Sequence, residues 1–193
     1  MNPSDELADA LQPLLRAFGD LGIAYRIGGS LASSLWGRAR ATLDVDMVAQ
    51  LTADQARPLC AALGGGYYVD EGAVRQAIAQ GRAFNLIHLA TMIKLDVFVL
   101  KAAPFDMAAF QRSSKAPLGK LPEVVFCTAE DMILRKLDWY RAGGGSSERQ
   151  WSDVLGLLQV QAGALDWEYV NTWAACLGLS ELLQKASDEA DKF

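Results

Sequence analysis

Two acidic residues one position apart, Asp44 and Asp46, lie in a run of alternating acidic and apolar residues, Leu43-Asp44-Val45-Asp46-Met47-Val48. Such alternation is typical of a β-strand with one face in the protein core and the other toward solvent. It places both carboxylates on one face and Leu43, Val45 and Met47 in the core. The run therefore predicts a strand that presents two negative charges side by side.

The same alternation recurs in Ile93-Lys94-Leu95-Asp96-Val97-Phe98-Val99, where Lys94 and Asp96 share one strand face. Three carboxylates on one face of a sheet repel one another unless a cation lies among them. Carboxylate oxygens suit hard divalent ions, above all Mg²⁺. Asp44, Asp46 and Asp96 are therefore predicted ligands of Mg²⁺ or Mn²⁺, and the arrangement indicates metal-dependent phosphoryl chemistry.

A Gly28-Gly29-Ser30 turn lies between a predicted strand at residues 24–27 and a predicted helix at residues 31–36. A helix N-terminus attracts phosphate, glycine lets a ligand approach closely, and the hydroxyl of Ser30 can bind a phosphate oxygen. Taken alone, the turn fits a tight connection and the aspartates fit a solvated strand face. Their order along the chain favours one cleft that holds a nucleoside triphosphate (NTP) and its metal ions.

In this order of motifs the chain resembles the nucleotidyltransferase superfamily with the DNA polymerase β fold. The closer resemblance is to the bacterial branch that includes the AbiEii-type toxins of toxin–antitoxin systems. Those proteins often follow the sheet with a helix like Glu130-Asp131-Met132-Ile133-Leu134-Arg135-Lys136-Leu137, and then with a segment that Arg149-Gln150-Trp151-Ser152-Asp153 matches more loosely. The resemblance spans about residues 27–158.

The resemblance implies an α/β (α+β) fold, with a polymerase β-like mixed sheet, flanking helices and a helical C-terminal part. The implied catalytic domain covers residues 1–127, and a helical region covers residues 128–193. Within the second region, Thr128 and Ser147 are predicted helix N-caps. Residues 71–80 are ambiguous between helix and loop.

The implied activity is metal-dependent transfer of a nucleoside monophosphate from an NTP to an acceptor hydroxyl on a tRNA, a protein or a small molecule. Asp44, Asp46 and Asp96 would form the catalytic and metal site. The NTP-binding residues would be Gly28, Gly29, Ser30, Lys94 and Lys136. If the chain is a toxin, a cognate antitoxin is a further expected partner. The alternative is a non-catalytic nucleotide-binding or partner-regulatory module that keeps the fold.

Several polar residues have two interpretations. Lys136 contacts nucleotide phosphates or forms a helix-surface ion pair with Glu130 or Asp131. Asp153 holds Lys136 or Arg149, or faces solvent. For Arg38 and Arg40, exposed loop arginines are favoured over ligands of phosphate or acceptor. A packed or sheet-edge position is favoured for the lone His88. The helical aromatic residues are predicted to build the helical core rather than to stack bases: Trp139, Tyr140, Trp151, Trp167 and Trp173.

The composition excludes several classes of protein. A formal charge of −5 argues against a protein that coats nucleic acid, although residues 112–120 form a candidate basic patch, with a solvated loop favoured. The three cysteines, Cys60, Cys127 and Cys176, are predicted to be reduced, buried thiols. No signal peptide and no membrane span are predicted, so we expect a soluble cytoplasmic protein.

Overall fold

The computed structural model describes residues 3–42 and 44–192, so the predicted core position of Leu43 lies outside the described residues. The chain divides into two compact units. Unit 1 comprises residues 1–30 and 42–126, and unit 2 comprises residues 31–41 and 127–193.

The strands form one mixed sheet, which confirms the predicted α/β fold class. The order across this seven-stranded sheet is β3-β4-β5-β2-β1-β7-β6. The described strands are β1 Tyr25–Ile27, β2 Asp44–Ala49, β3 Tyr67–Tyr68, β4 Ala83–His88, β5 Lys94–Val99, β6 Ser114–Leu118 and β7 Leu121–Phe126. The described α-helices are α1 Pro3–Asp20, α2 Gly29–Trp36, α3 Ala56–Leu63, α4 Glu71–Gln80, α5 Pro104–Gln111, α6 Ala129–Ala142, α7 Glu148–Gln161, α8 Trp167–Leu177 and α9 Ser180–Ala190.

Strict alternation on β2 and β5 separates a buried face from a polar one. Val45 and Met47 on β2, like Leu95 and Val97 on β5, are at most 1% exposed. The residues between them are more accessible, as the sequence predicts. β2 pairs in parallel with β5. β1 lies antiparallel on the other side of β2, and β4 lies antiparallel on the other side of β5. Strands β2 and β5 are therefore in the interior of the sheet.

The first helix buries an apolar stripe that includes Leu7, Leu11, Leu14 and Phe18. It packs against α3, which packs against α4 within unit 1. The ambiguous residues 71–80 form a helix because the Asp70 carboxylate accepts a hydrogen bond from the Ala73 amide and caps it.

The predicted loop at residues 112–120 is wrong, since Ser114–Leu118 is a strand paired with β7. Its lysines are also neutralised. Lys115 forms an ion pair with Glu123 at 2.8 Å, and Lys120 forms one with Asp9. These carboxylates cancel the positive charge that a basic patch would need. The neighbouring helix α5 is an element that the sequence did not reveal.

Unit 2 is helical, as predicted, and Thr128 and Ser147 cap α6 and α7 by accepting hydrogen bonds from Asp131 and Gln150 amides. Its fully buried apolar positions are aliphatic, so the predicted core role is wrong for Trp139 and Trp167, whereas Tyr140, Trp151 and Trp173 are half-buried. Trp139 and Trp167 are 38% and 37% exposed, and the buried positions are filled by Ile133, Leu134, Leu137, Val154 and Leu157. Residues 31–41 are held in this unit by the Trp36 indole N–H, which donates to the Cys127 carbonyl.

The remaining predictions concern single residues. His88 is half-buried at the end of β4, where its ring packs 5.1 Å from that of Tyr67, so the packed position is confirmed. The cysteines are free thiols, but Cys60 and Cys127 are only half-buried, and Cys176 is exposed, so its predicted burial is wrong. Among the described residues, no helix has the length and apolar character needed to cross a membrane.

The buried hydroxyl of Tyr67 gives a test of this packing. It donates a 2.7 Å hydrogen bond to the Ala10 carbonyl, and burial raises its pKa to about 12. Tyr67→Phe leaves that carbonyl without the bond, so we expect a loss of about 1–2 kcal/mol in the free energy of unfolding, measured with urea. Tyr68→Phe is the control, because Tyr68 is 66% exposed. Equal unfolding midpoints for the two variants would contradict the packing.

Candidate functional site

The predicted acidic residues meet on the polar face of β2 and β5 in unit 1. Asp46 lies opposite Asp96 and Asp44 lies opposite Lys94 in the parallel register of the two strands. Opposite residues of neighbouring strands project to the same side of a sheet, and such strands lie about 4.8 Å apart. We call Asp44, Asp46, Lys94 and Asp96 the acidic patch.

The Gly28-Gly29-Ser30 turn touches the acidic patch directly. The Gly28 amide donates a 2.9 Å hydrogen bond to the Asp46 carbonyl, which continues the pairing of β1 with β2. Gly29 begins α2 with a left-handed φ of 56°, and a Cβ there would lie 1.9 Å from Asp46 Oδ2. Only glycine satisfies both conditions. The Asp46 carboxylate therefore packs against the positive end of α2.

Asp96 is bonded by two side chains of unit 1. Lys94 Nζ lies 2.8 Å from its Oδ2, and Asn85 Nδ2 donates to its Oδ1 at 3.4 Å. The hydrogen bond to Asp96 raises the pKa of Lys94, and the charges of Asp96, Asp44 and Asp46 raise it further against the opposing effect of desolvation. Lys94 thus stays protonated and supplies positive charge to the acidic patch.

Asn85 has no predicted role, although the sequence carries a signal for it. Alternation on β4 puts Asn85 on the face opposite to Phe84 and Leu86, both buried. The hairpin register then places it opposite Asp96. The polar face thus carries Asn85, Asp96 and Asp46 in a line across three neighbouring strands.

The donor set of the acidic patch suits a divalent ion, because Asp44, Asp46 and Asp96 offer hard carboxylate oxygens on one sheet face. Within residues 3–42 and 44–192, however, no three or more His, Cys, Asp or Glu side chains are grouped as a metal site. The Lys94 ammonium occupies Asp96 Oδ2 in this arrangement. The chemistry of these donors suits a metal, while in this arrangement Asp96 is bonded to Lys94 instead.

Lys136 belongs to unit 2 and is one of its most buried side chains, at 2% exposure. Its ammonium donates to Asp153 Oδ2 at 2.7 Å and to Gln150 Oε1 at 3.1 Å. The alternative of a helix-surface pair with Glu130 or Asp131 is wrong, since Lys136 is buried and those carboxylates have other partners. Desolvation lowers the pKa of Lys136, although its bond to Asp153 opposes that shift.

Asp153 binds a second cation, Arg40, which also belongs to unit 2. Arg40 Nε lies 3.1 Å from Asp153 Oδ1 and its Nη2 lies 3.3 Å from Oδ2, a two-point contact. Desolvation alone would raise the pKa of Asp153, but the hydrogen bonds from Arg40 and Lys136 outweigh it and lower that pKa. The exposed-loop interpretation is therefore wrong for Arg40, whereas Arg38 is exposed as expected.

Comparison with solved structures identifies the class of fold. One similar structure is that of the antibiotic-resistance factor ANT(2'')-Ia. The match covers 98% of this chain and 99% of that protein's chain, with 13% sequence identity and a TM-score of 0.54. Another is that of an antigenic nucleotidyltransferase-like protein from Paracoccidioides brasiliensis. The match covers 95% of this chain and 93% of that protein's chain, with 18% sequence identity and a TM-score of 0.54. The chain therefore has the nucleotidyltransferase-like α/β fold.

At the level of sequence, no protein-family model matches the chain, and no curated protein does. The finer resemblance to the AbiEii-type branch stays a prediction.

The close approach of Asp46 to Gly29 can be tested with Gly29→Ala. The added methyl group collides with the carboxylate and must adopt a left-handed φ, so we expect the free energy of unfolding to fall by about 2 kcal/mol or more. Gly65→Ala is the matched control in unit 1, because no atom lies within 4 Å of a Cβ there. Chemical denaturation that finds equal losses for both variants would contradict the contact.

The buried pair in unit 2 gives a second test. Asp153→Asn leaves the Lys136 ammonium buried without a counter-charge, so we expect a loss of about 3 kcal/mol or more in the free energy of unfolding. Asp138→Asn is the control, since Asp138 forms an exposed ion pair with Arg141 at 2.6 Å. We expect that control to change stability by less than about 0.5 kcal/mol. A similarly small loss for Asp153→Asn would show that the pair carries no such energy.

Proposed function

We propose that the chain is a divalent-metal-dependent nucleotidyltransferase, which moves a nucleoside monophosphate from an NTP to an acceptor hydroxyl. One observation carries the proposal: Asp46 lies in register opposite Asp96 and at the same time against Gly29 at the N-terminus of α2. A carboxylate pair that would bind a cation and a helix terminus that would bind an anion are thus adjacent within unit 1. The nucleotidyltransferase-like fold supports the same assignment.

Asp44, Asp46 and Asp96 would hold Mg²⁺ or Mn²⁺. When bound, such ions polarise the α-phosphate, lower the pKa of the attacking hydroxyl and neutralise the leaving pyrophosphate. Asp96, the later carboxylate, would help to accept the proton of the acceptor hydroxyl. The hydrogen bond from Asn85 Nδ2 would orient Asp96 for these tasks.

The turn and the lysines would bind the triphosphate. The N-terminus of α2 at Gly29 would attract a phosphate, and the Ser30 hydroxyl can bind a phosphate oxygen. Gly28 shapes the turn, since its amide already donates a hydrogen bond to the backbone carbonyl of Asp46. Lys94 lies on the same sheet face and would neutralise phosphate charge. The expected contact of Lys136 with phosphate stays a prediction, and in the structure its ammonium bonds to Asp153 and Gln150.

The acceptor, a toxin role and a cognate antitoxin are predictions that rest on the resemblance to the AbiEii-type branch. One observation keeps the non-catalytic module as a second candidate. Lys94 neutralises Asp96, so the polar face can be stable without any metal. The two candidates differ in turnover, which an assay measures directly.

The test is transfer from four α-labelled NTPs, with Mg²⁺ or Mn²⁺, to bulk tRNA, protein extract and small hydroxyl compounds. We expect label transfer with one or more NTPs, and a loss of roughly 100-fold or more in Asp46→Asn, because one metal-binding carboxylate is removed. Glu123→Gln is the control, an exposed carboxylate on β7 of the same sheet. Thermal unfolding confirms that each variant is folded.

Two results would contradict the proposal. If the folded Asp46→Asn variant transferred label at the wild-type rate, the acidic patch would have no part in the reaction. No transfer by the wild-type chain, together with no metal-dependent NTP binding by calorimetry, would favour the non-catalytic module.

A further inference from the structure

The acidic patch contains a cation of its own. Lys94 Nζ lies 2.8 Å from Asp96 Oδ2, and the strand register puts Lys94 opposite Asp44 and Asp96 opposite Asp46. An ammonium group therefore lies on the sheet face that carries the three carboxylates, which the proposed function assigns to a divalent metal. It neutralises the negative charge of Asp96, which would otherwise repel Asp46 on the neighbouring strand.

The ammonium and a metal ion compete for the same oxygen. Mg²⁺ binds carboxylate oxygens at about 2.1 Å, so an ammonium group bonded to that oxygen would be forced against another cation. The second oxygen of Asp96 accepts a hydrogen bond from Asn85. Asp96 can therefore serve as an unhindered metal ligand only after Lys94 moves away.

Lys94 has the freedom to make that movement. Its side chain is 42% exposed, whereas that of Asp96 is 18% exposed. A long lysine side chain with this exposure can rotate into solvent without disturbing the core. The ion pair is also accessible to water, where such pairs are weak enough for a divalent ion to replace.

We propose that Lys94 is an internal competitor of the metal: its ammonium binds Asp96 in the metal-free protein and leaves when a divalent ion binds. This inference rests on the proposed function, because it takes the acidic patch as the metal site. The exchange keeps the acidic patch neutralised in both states. It also frees the ammonium only when the metal is present, beside the phosphates that accompany that metal.

The test is the affinity for Mn²⁺ without nucleotide, measured on the full chain from the electron paramagnetic resonance signal of free Mn²⁺. Lys94→Gln removes the competitor, so we expect Mn²⁺ to bind roughly three- to tenfold more tightly than to the wild type. Lys94→Arg keeps the charge and should bind Mn²⁺ no more tightly than the wild type does.

Lys115→Gln is the matched control, because Lys115 forms an exposed 2.8 Å ion pair with Glu123 on the same sheet and its loss changes the net charge equally. We expect wild-type Mn²⁺ affinity for it. Asp46→Asn tests the site itself and should abolish Mn²⁺ binding. Thermal unfolding establishes that the variants compared are folded.

The outcomes separate the inference from the proposed function. If Asp46→Asn abolishes binding but Lys94→Gln binds Mn²⁺ no more tightly than the wild type, the competition is overturned and the metal site stands. An equal gain in Lys94→Gln and Lys115→Gln also overturns it, because net charge then explains the effect. If neither the wild type nor Lys94→Gln binds Mn²⁺, the metal requirement of the proposed function fails, and the inference fails with it.

Discussion

The parallel pairing of β2 with β5 is the constraint on which the candidate site depends. It sets Asp46 opposite Asp96 and Asp44 opposite Lys94, so charges far apart in sequence become neighbours. A shift of one residue would turn the carboxylates into the core and Val45 and Met47 outward, at a prohibitive cost in buried charge. The fully buried apolar face of the two strands therefore fixes the register that assembles the acidic patch.

The acidic patch is stable because like charges there are compensated locally. Lys94 neutralises Asp96, while the positive end of α2 lies against Asp46. In unit 2, charge is compensated in the interior instead. The Lys136 ammonium is buried against Asp153, and that carboxylate also binds a second cation, Arg40. The exposed pair can exchange partners at low cost, whereas breaking the buried one leaves a charge without compensation. The two clusters therefore suit different roles, ligand exchange in unit 1 and structural fixation in unit 2.

Local patterns predicted much of the fold and of the acidic patch. The alternation of polar and apolar residues around Asp46 and Asp96 depends only on neighbouring residues, and the structure confirms both strands. The helix caps at Thr128 and Ser147 are equally local and are also confirmed. Partners distant in sequence could not be predicted in the same way. Arg40 and Asp153 are 113 positions apart, and nothing near either residue specifies the other. The same reason explains the errors at Lys120, which pairs with Asp9, and at the exposed Trp139 and Trp167.

The central claim is that the acidic patch and the N-terminus of α2 together bind a metal-bound triphosphate. Its most direct test is a crystal structure of the full chain with Mn²⁺ and a non-hydrolysable NTP analogue, with Mn²⁺ located by anomalous scattering. We expect Mn²⁺ between Asp46 and Asp96, phosphate oxygens at Gly29 and Ser30, and the Lys94 ammonium displaced from Asp96. Mn²⁺ and the analogue bound elsewhere, with the Lys94–Asp96 pair intact, would contradict it.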